Sequence, residues 1–297
     1  MKLRELGEDE VVRRLIRSLP VTRRALVKAG DDCAVVRVSG GLQLLKADCI
    51  VEGIHFLADA DPKRIGWKAL CRAISDIAAM GGKPLDAVVT VALSREIEFS
   101  WLNSVYAGMR NAAKRYGVSL VGGETAQSPG PVFISVALTG MPTDGKYVTR
   151  SGGRNLDCLY VTGKLGGSLR GKHLRFHPRL SEAQWLIRKF PISAMMDLSD
   201  GLATDLPRMA SASKLGFEVD LVKLPRKTEC TVEQALRNGE DYELLFAIAP
   251  GSAKRLEVAW RKQFPRIALT CIGRLIKGGA TCFREKGYDH FGQPESS

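Results

Sequence analysis

Two carboxylates and a hydroxyl precede a glycine in the stretch Met196-Asp197-Leu198-Ser199-Asp200-Gly201-Leu202. The residues before it, 192–196, are apolar apart from Ser193, and residues 202–206 are typical of the start of a helix. A turn at this point would present the acidic and hydroxyl groups at one open edge, where Mg²⁺ binds carboxylate oxygens. Ser and Asp also cap helices, so the stretch alone leaves a metal site and a helix cap both open.

Acidic groups of the same kind recur along the chain, most of them beside a glycine or at the end of an apolar run. They occur in Gly30-Asp31-Asp32, Lys46-Ala47-Asp48, Ser75-Asp76, Gly122-Gly123-Glu124 and Gly239-Glu240-Asp241. Convergence of carboxylates from distant segments is what a site for several metal ions and a polyphosphate requires. Because carboxylates alone repel a polyphosphate, they would act through divalent cations, with help from the basic residues Lys46, Arg150 and Arg154.

The composition limits the class of protein. A chain of 297 residues, 45% of them hydrophobic, can form one large domain or two of ordinary size. Its net charge of +12 suits a nucleic-acid binder or an enzyme for anionic substrates, but no helix-turn-helix signature or aromatic-rich basic run favours nucleic acid. The charged start and the short apolar runs predict neither a signal peptide nor a membrane span. Seven cysteines without a Cys-x-x-Cys pair favour a cytoplasmic location.

Hydrophobic periodicity predicts strands and helices in both halves of the chain. The first half has predicted helices at 6–19, 62–80 and 101–117, and strands at 33–36, 42–50, 85–93, 118–121 and 132–140. Gly122-Gly123-Glu124-Thr125 is predicted to be the turn after strand 118–121. The polar segment 142–156 indicates a boundary between domains 1–142 and 143–297. The second half has predicted strands at 158–162, 217–221, 242–248 and 267–272, and helices at 182–190, 202–215, 232–237 and 252–264.

One glycine-rich segment nearly matches a phosphate-binding loop. The sequence Gly166-Gly167-Ser168-Leu169-Arg170-Gly171-Lys172-His173 follows a predicted strand. His173 occupies the place of the hydroxyl residue that would hold Mg²⁺ in such a loop. We therefore interpret the segment as an ordinary glycine-rich turn followed by basic residues.

Taken in order, the motifs resemble those of the thiamine-monophosphate kinase family, within the aminoimidazole-ribonucleotide-synthetase-like superfamily. Seven motifs carry the resemblance, and with the final Tyr288-Asp289-His290-Phe291 they extend over nearly the whole chain. The Asp-Asp turn and the Ser-Asp-Gly stretch alone would indicate only the superfamily. The motifs are Gly30-Asp31-Asp32, residues 48–56, Ile74-Ser75-Asp76-Ile77-Ala78-Ala79-Met80-Gly81, Gly122-Gly123-Glu124-Thr125, Thr149-Arg150-Ser151-Gly152, residues 197–202 and Gly239-Glu240-Asp241-Tyr242-Glu243-Leu244.

The resemblance implies a two-domain α/β (α+β) fold, with an N-terminal sheet domain that dimerises and a C-terminal α/β domain. It also implies that ATP, as co-substrate, and several Mg²⁺ ions lie in the cleft between the domains. The γ-phosphoryl group of ATP would pass to thiamine monophosphate and give thiamine diphosphate and ADP. The expected partners are these substrates and a second copy of the chain, without nucleic acid or membrane.

The resemblance also assigns roles to individual residues. The implied metal ligands are Asp32, Asp48, Asp76, Glu124, Asp197 and Asp200. Catalysis is expected to be metal-assisted through Asp32, Asp48, Asp76 and Asp197, with no acid–base residue. The implied ATP contacts are Gly123, Glu124, Arg150 and Ser199, and the implied contacts with the thiamine phosphate are His55, Glu240 and Phe291.

This chain departs from the family pattern at two of its motifs. Lys46-Ala47 stands where the family usually has hydroxyl residues, and Glu124-Thr125-Ala126 stands where it usually has Asp-Thr-Thr. The departures keep two alternatives open. One is another ATP-dependent enzyme of the superfamily with a different acceptor, and the other is a catalytically weakened ATP-binding regulatory protein.

Overall fold

The computed structural model describes residues 1–291 of the chain. Seven α-helices and eleven strands lie within that range. The helices are α1 (Glu8–Arg17), α2 (Pro62–Ala79), α3 (Phe99–Tyr116), α4 (Leu180–Lys189), α5 (Leu202–Ala212), α6 (Val232–Arg237) and α7 (Pro250–Gln263). The strands are β1 (Ala25–Val27), β2 (Ala34–Val38), β3 (Gly41–Val51), β4 (Gly82–Leu93), β5 (Ser119–Gln127), β6 (Phe133–Pro142), β7 (Cys158–Thr162), β8 (Ile192–Asp197), β9 (Gly216–Val219), β10 (Leu244–Ile248) and β11 (Leu269–Ile276).

The first half of the chain forms a six-stranded sheet in the order β1-β2-β3-β6-β4-β5. Neighbouring strands are antiparallel except β4 and β5, which are parallel because α3 connects them. Helix α2 begins with Asp61 as its N-cap and Pro62 in its first turn, and it packs closely on α3. A Cβ atom on Gly66 would lie 1.8 Å from the Val105 carbonyl oxygen, so this crossing requires glycine.

The second half forms a five-stranded antiparallel sheet in the order β8-β10-β7-β11-β9. All five residues of the central strand β10 are buried. Leu245 and Ala247 pack in one apolar cluster with residues of α5 and α6. Phe246 and Ile248 pack in the other with residues of α4 and α7. The sheet therefore lies between two helical layers, which explains the uninterrupted apolar run at residues 244–248.

The two halves are joined by direct contacts. The backbone N–H of Val148 donates to the Met80 carbonyl, and the indole N–H of Trp67 donates to the Phe176 carbonyl at 2.8 Å. The stacked rings of Phe176 and Tyr242, with centroids 3.8 Å apart, pack in the apolar cluster of the first half. The first sheet ends at Pro142 and the second begins at Cys158, and we propose residues 1–142 and 143–297 as the two domains.

The structure corrects the predicted turn at residues 122–125. Strand β5 continues through these residues, so Glu124 lies within a strand and not in a turn. Gly123 has extended backbone geometry, and a Cβ atom there would lie 1.8 Å from the Val89 carbonyl oxygen. Gly123 therefore permits close pairing with β4, and neither glycine breaks the strand. The three-residue strand β1 was not predicted, because it is too short to show a period.

No helix within residues 1–291 is both long enough and apolar enough to cross a bilayer.

Candidate active site

A cavity of about 740 Å³ lies between the two halves of the chain. Tyr242 and the basic residues Lys46, Arg72 and Arg208 contribute to its wall. Most of the residues that line the cavity are charged, and both signs are present, which suits a polyanionic ligand and its counterions. Six of the predicted site residues line it, namely Asp48, Asp76, Arg150, Asp197, Ser199 and Asp200.

Three buried carboxylates meet beside this cavity. Asp32 precedes β2, Asp76 lies in the last turn of α2, and Asp197 ends β8. Each contributes an oxygen, and the three oxygens lie within 4.8 Å of one another. The Ser75 hydroxyl donates to Asp197 at 2.5 Å and thereby links the two halves of the chain at the cluster. The fold thus brings together residues that are up to 165 positions apart, as the convergence argument predicted.

The electrostatics of this cluster favour a bound cation. Burial, together with the charge of Asp32, raises the pKa of Asp197 to about 7. Burial and the neighbouring carboxylates also raise the pKa of Asp76 well above its usual range, against the influence of Lys46. The Asp32 Oδ2 atom is buried and has no hydrogen-bond partner among the described residues. An unpartnered carboxylate oxygen beside two other carboxylates fits Mg²⁺, which prefers oxygen ligands.

Four of the predicted acidic ligands each contact a basic side chain. Arg150 Nη2 lies 2.5 Å from Asp32 Oδ1, and Arg72 Nε lies 3.2 Å from Asp48 Oδ2. Lys46 Nζ lies 3.0 Å from Asp76 Oδ2, and Arg208 forms an ion pair with Asp200. Burial opposes ionisation of Asp48, but the charges of Arg72 and Lys46 prevail and lower its pKa. The site is therefore partly neutralised by groups of the chain itself.

The residues predicted for the acceptor lie near His290, which also lines the cavity. The His55 and His290 rings are 5.5 Å apart, and Phe291 follows His290 directly. Burial and the positive charges of Arg72 and Lys68 lower the pKa of His55 to about 3, so its imidazole is neutral. His55 Nδ1 accepts a hydrogen bond from the Val51 backbone at 3.1 Å.

Glu240 connects the acceptor residues to the acidic cluster. Its carboxylate accepts a hydrogen bond from the fully buried Lys68 Nζ at 2.6 Å. The same ammonium group donates to the His55 carbonyl at 2.5 Å. Arg72 Nη1 lies 4.0 Å from Glu240 Oε1, so Arg72 stands between Glu240 and Asp48. The backbone of Glu240 has φ +61°, and its N–H donates to the Ser199 carbonyl, which holds the two acidic loops together.

Two of the four predicted ATP contacts do not line the cavity of this chain. Gly123 and Glu124 are exposed on the edge strand β5. Glu124 pairs with Thr90 on the sheet face that α2 and α3 leave uncovered. Ala47 is exposed on that face too, because side chains alternate along β3 and Lys46 and Asp48 point to the other side. We call this surface the open face; its residues include Leu45, Ala47, Val88, Glu124, Ala137 and Met141.

Arg154 and the glycine-rich segment take no part in the cavity wall. The Arg154 backbone donates to Asp157 at 2.9 Å. The amides of Gly166 and Gly167 donate to the side chains of Asp241 and Asn238. These amides are therefore occupied by groups of the chain and not directed at a phosphate, in agreement with the interpretation as an ordinary turn.

Sequence reasoning missed Lys68, Arg72 and Arg208 as parts of the site. A signal for the first two was present, because Lys68, Arg72 and Asp76 follow one another at four-residue spacing within the mostly apolar residues 65–79. That spacing places all three on one face of α2. A signal for Arg208 was present too, because it follows the Ser-Asp-Gly stretch and lies within eight residues of its partners Asp200 and Asp205.

Comparisons with known proteins identify the family. Residues 30–141 match the family model described as AIR synthase related protein, N-terminal domain, and residues 149–281 match the corresponding C-terminal domain. The thiamine-monophosphate kinase of Rhodopirellula baltica is 37% identical over 280 residues, which cover 88% of this chain and 85% of that protein. The chain belongs to the thiamine-monophosphate kinase family.

Further members of the thiamine-monophosphate kinase family support the assignment. The protein from Escherichia coli K12 is 35% identical over 308 residues, covering 89% of this chain and 92% of that protein. The crystal structure of thiamine monophosphate kinase from Aquifex aeolicus has a TM-score of 0.78 at 30% identity, covering 94% of this chain and 97% of that chain. A chain solved as AaThiL complexed with AMPPCP and TMP has a TM-score of 0.81 at 30% identity, covering 100% of this chain and 97% of that chain. The two-domain α/β fold is thus that of the family.

Proposed function

We propose that this chain is a thiamine-monophosphate kinase, which transfers the γ-phosphoryl group of ATP to thiamine monophosphate. The observation that carries the proposal is the meeting of Asp32, Asp76 and Asp197 beside a charged cavity between the two halves. The position of Arg150 beside Asp32 supports the expected contact with ATP. Ser199 and Asp200 line the same cavity, as an ATP contact and a metal ligand should.

Asp32, Asp76 and Asp197 would hold Mg²⁺, with Asp48 and Asp200 as further oxygen ligands nearby. Bound Mg²⁺ would neutralise charge on the triphosphate and on the transferred group. The Ser75 hydroxyl orients Asp197 by its hydrogen bond, and Arg150 supplies a fixed positive charge to the same end of the cavity. Glu124 remains a proposed metal ligand. It lies on the open face in this structure, so that face would have to be arranged differently for Glu124 to reach a metal ion.

The transfer needs no general base. The acceptor is a phosphate monoester with a second pKa of roughly 6, so it is largely a dianion at neutral pH. The task of the protein is to bring two anions together and orient them. Arg72 is suited to this task, because its buried Nη1 atom has no hydrogen-bond partner among the described residues and lies between Asp48 and Glu240. We therefore propose direct in-line transfer, with His55, Glu240 and Phe291 on the acceptor side.

The test of this function is turnover with purified protein, ATP, Mg²⁺ and thiamine monophosphate. Direct transfer through a ternary complex gives intersecting lines in double-reciprocal plots of two-substrate kinetics. Parallel lines, or protein labelled by γ-³²P-ATP without acceptor, would contradict direct transfer. Turnover only with another phosphorylated acceptor would indicate a different enzyme of the superfamily. Binding of ATP without any turnover would indicate a regulatory protein.

We also propose a homodimer that forms through the open face. Three large apolar side chains are well exposed there: Leu45 at 39%, Val88 at 43% and Met141 at 45%. A contiguous apolar patch on a sheet is typical of an interaction surface. Light scattering at micromolar concentration should give twice the mass of the chain, and a monomeric mass would contradict the proposal. A cytoplasmic location is proposed as well, since all seven cysteines are unpaired in the structure.

A further inference from the structure

Lys46 occupies an unusual position for a lysine, inside the acidic cavity. It lies on β3 two residues before Asp48, so both side chains point to the same side of the strand. Its ammonium nitrogen lies 3.0 Å from Asp76 Oδ2, and the side chains of Lys46 and Asp76 are 22% and 10% exposed. Lys46 also lines the cavity, together with Asp48, Asp76 and Asp197. The ammonium group is therefore next to the carboxylates that would hold metal ions.

Lys46 supplies to Asp76 the positive charge that a bound metal ion would otherwise supply. Asp76 is shared between the three-carboxylate cluster and Lys46, while Asp48 is paired with Arg72. A divalent ion bound between Asp48 and Asp76 would compete with an ammonium and a guanidinium group that are covalently part of the chain. Because these two charged groups belong to the chain, they lose no translational entropy as a binding metal ion does, and they stay in place through each turnover. One of the three ammonium N–H donors faces Asp76, which leaves donors for another acceptor.

We propose that the Lys46 ammonium group takes the place of one divalent cation in this cavity. It neutralises Asp76 on the side of Asp48 and donates to a phosphate oxygen of the nucleotide. Divalent ions then bind at the opposite side, where Asp32 and Asp197 meet Asp76. The phosphate contact rests on the proposed function, whereas the reduced number of divalent ions does not.

A purely structural ion pair between β3 and α2 would make a different prediction. Such a pair would affect folding stability but not the number of metal ions that the folded protein binds. The number of bound ions therefore separates the two roles. Mn²⁺ is a suitable probe, since it binds oxygen ligands as Mg²⁺ does and its free concentration can be measured by electron paramagnetic resonance.

The experiment compares the unsubstituted chain with Lys46→Ser and Lys46→Arg, each titrated with Mn²⁺ in the presence of AMPPCP. Lys46→Ser removes the charge and leaves room for an ion, and Lys46→Arg retains the charge. We expect Lys46→Ser to bind one more Mn²⁺ per chain than the unsubstituted protein, and Lys46→Arg to bind the same number as the unsubstituted protein. Equal numbers in all three proteins, or a lower number in Lys46→Ser, would overturn the proposal.

A second measurement uses the unsubstituted chain and keeps the proposal testable if Lys46→Ser does not fold. Anomalous scattering from crystals soaked with Mn²⁺ and AMPPCP should place ions at the Asp32–Asp197 side, with Lys46 Nζ still within 4 Å of Asp76. An ion between Asp48 and Asp76 with Lys46 displaced would overturn the proposal. Neither measurement includes thiamine monophosphate. A chain that fails to phosphorylate this acceptor would therefore refute the proposed function without changing either result.

Discussion

The substitution Asp197→Asn should stabilise the metal-free protein and at the same time nearly abolish turnover. Asp197 is 2% exposed and lies beside Asp32 and Asp76, so its negative charge is unfavourable when no cation is bound. Asparagine has almost the same shape and can still accept the hydrogen bond from Ser75. It cannot contribute charge to a metal ion, which is why activity should be lost.

The size of the stabilisation follows from the pKa of Asp197, which rises from 3.8 to about 7 in the folded protein. Each pKa unit corresponds to about 1.4 kcal/mol, so the ionised form costs roughly 4 kcal/mol of folding free energy at pH 8. The folded state holds the proton more tightly than the unfolded state. The parent protein therefore loses stability as the pH rises from about 4 to about 7, and Asp197→Asn removes this loss.

The assay is thermal unfolding in EDTA at pH 4 and pH 8, for the parent and for Asp197→Asn. At pH 8 the thermal-unfolding midpoint of Asp197→Asn should be about 10 °C higher than that of the parent, and at pH 4 the two midpoints should be nearly equal. Asp59→Asn is the control, because it removes one carboxylate from the exposed loop before α2. A variant that is less stable than the parent at pH 8 in EDTA, or that shows the same dependence on pH, would refute the electrostatic reasoning.

Three further predictions concern residues around the cavity. Ser75→Ala removes the hydrogen bond that orients Asp197, so turnover should fall by about 10- to 100-fold and half-maximal activity should require more Mg²⁺. An unchanged dependence of activity on Mg²⁺ would count against this role. Lys68→Met removes the buried ammonium group that donates to Glu240 and should lower the free energy of unfolding by about 3–5 kcal/mol, measured by urea unfolding, whereas Lys68→Met combined with Glu240→Gln should recover much of the loss. Glu124→Asp should be tolerated, whereas Glu124→Ala should weaken the binding of metal–ATP in a nucleotide titration. Unchanged ATP affinity and turnover rate in Glu124→Ala would show that Glu124 does not serve the site.

Much of the fold follows from local sequence patterns. The helix over residues 62–79 was predicted from its apolar spacing, and its start is fixed locally by Asp61 and Pro62. The buried strand at 244–248 was visible as an apolar run. The turn at 122–125 was predicted wrongly, because paired glycines are ordinarily turn signals. Only the pairing of β5 with β4 shows that the strand continues here, with Gly123 permitting the close approach between the two strands.

The sequence by itself determined which residue types could form the site, and the ordered motifs determined the family. The tertiary structure decided which of these residues meet. Asp32, Asp76 and Asp197 come together because the last turn of α2 and the end of β8 face each other across the junction of the two halves. Asp48 lies outside this three-carboxylate cluster and is paired with Arg72, and Glu124 lies on the open face. Local patterns do not encode these outcomes, since burial and the partners of a charged group depend on how separate segments of the chain pack together.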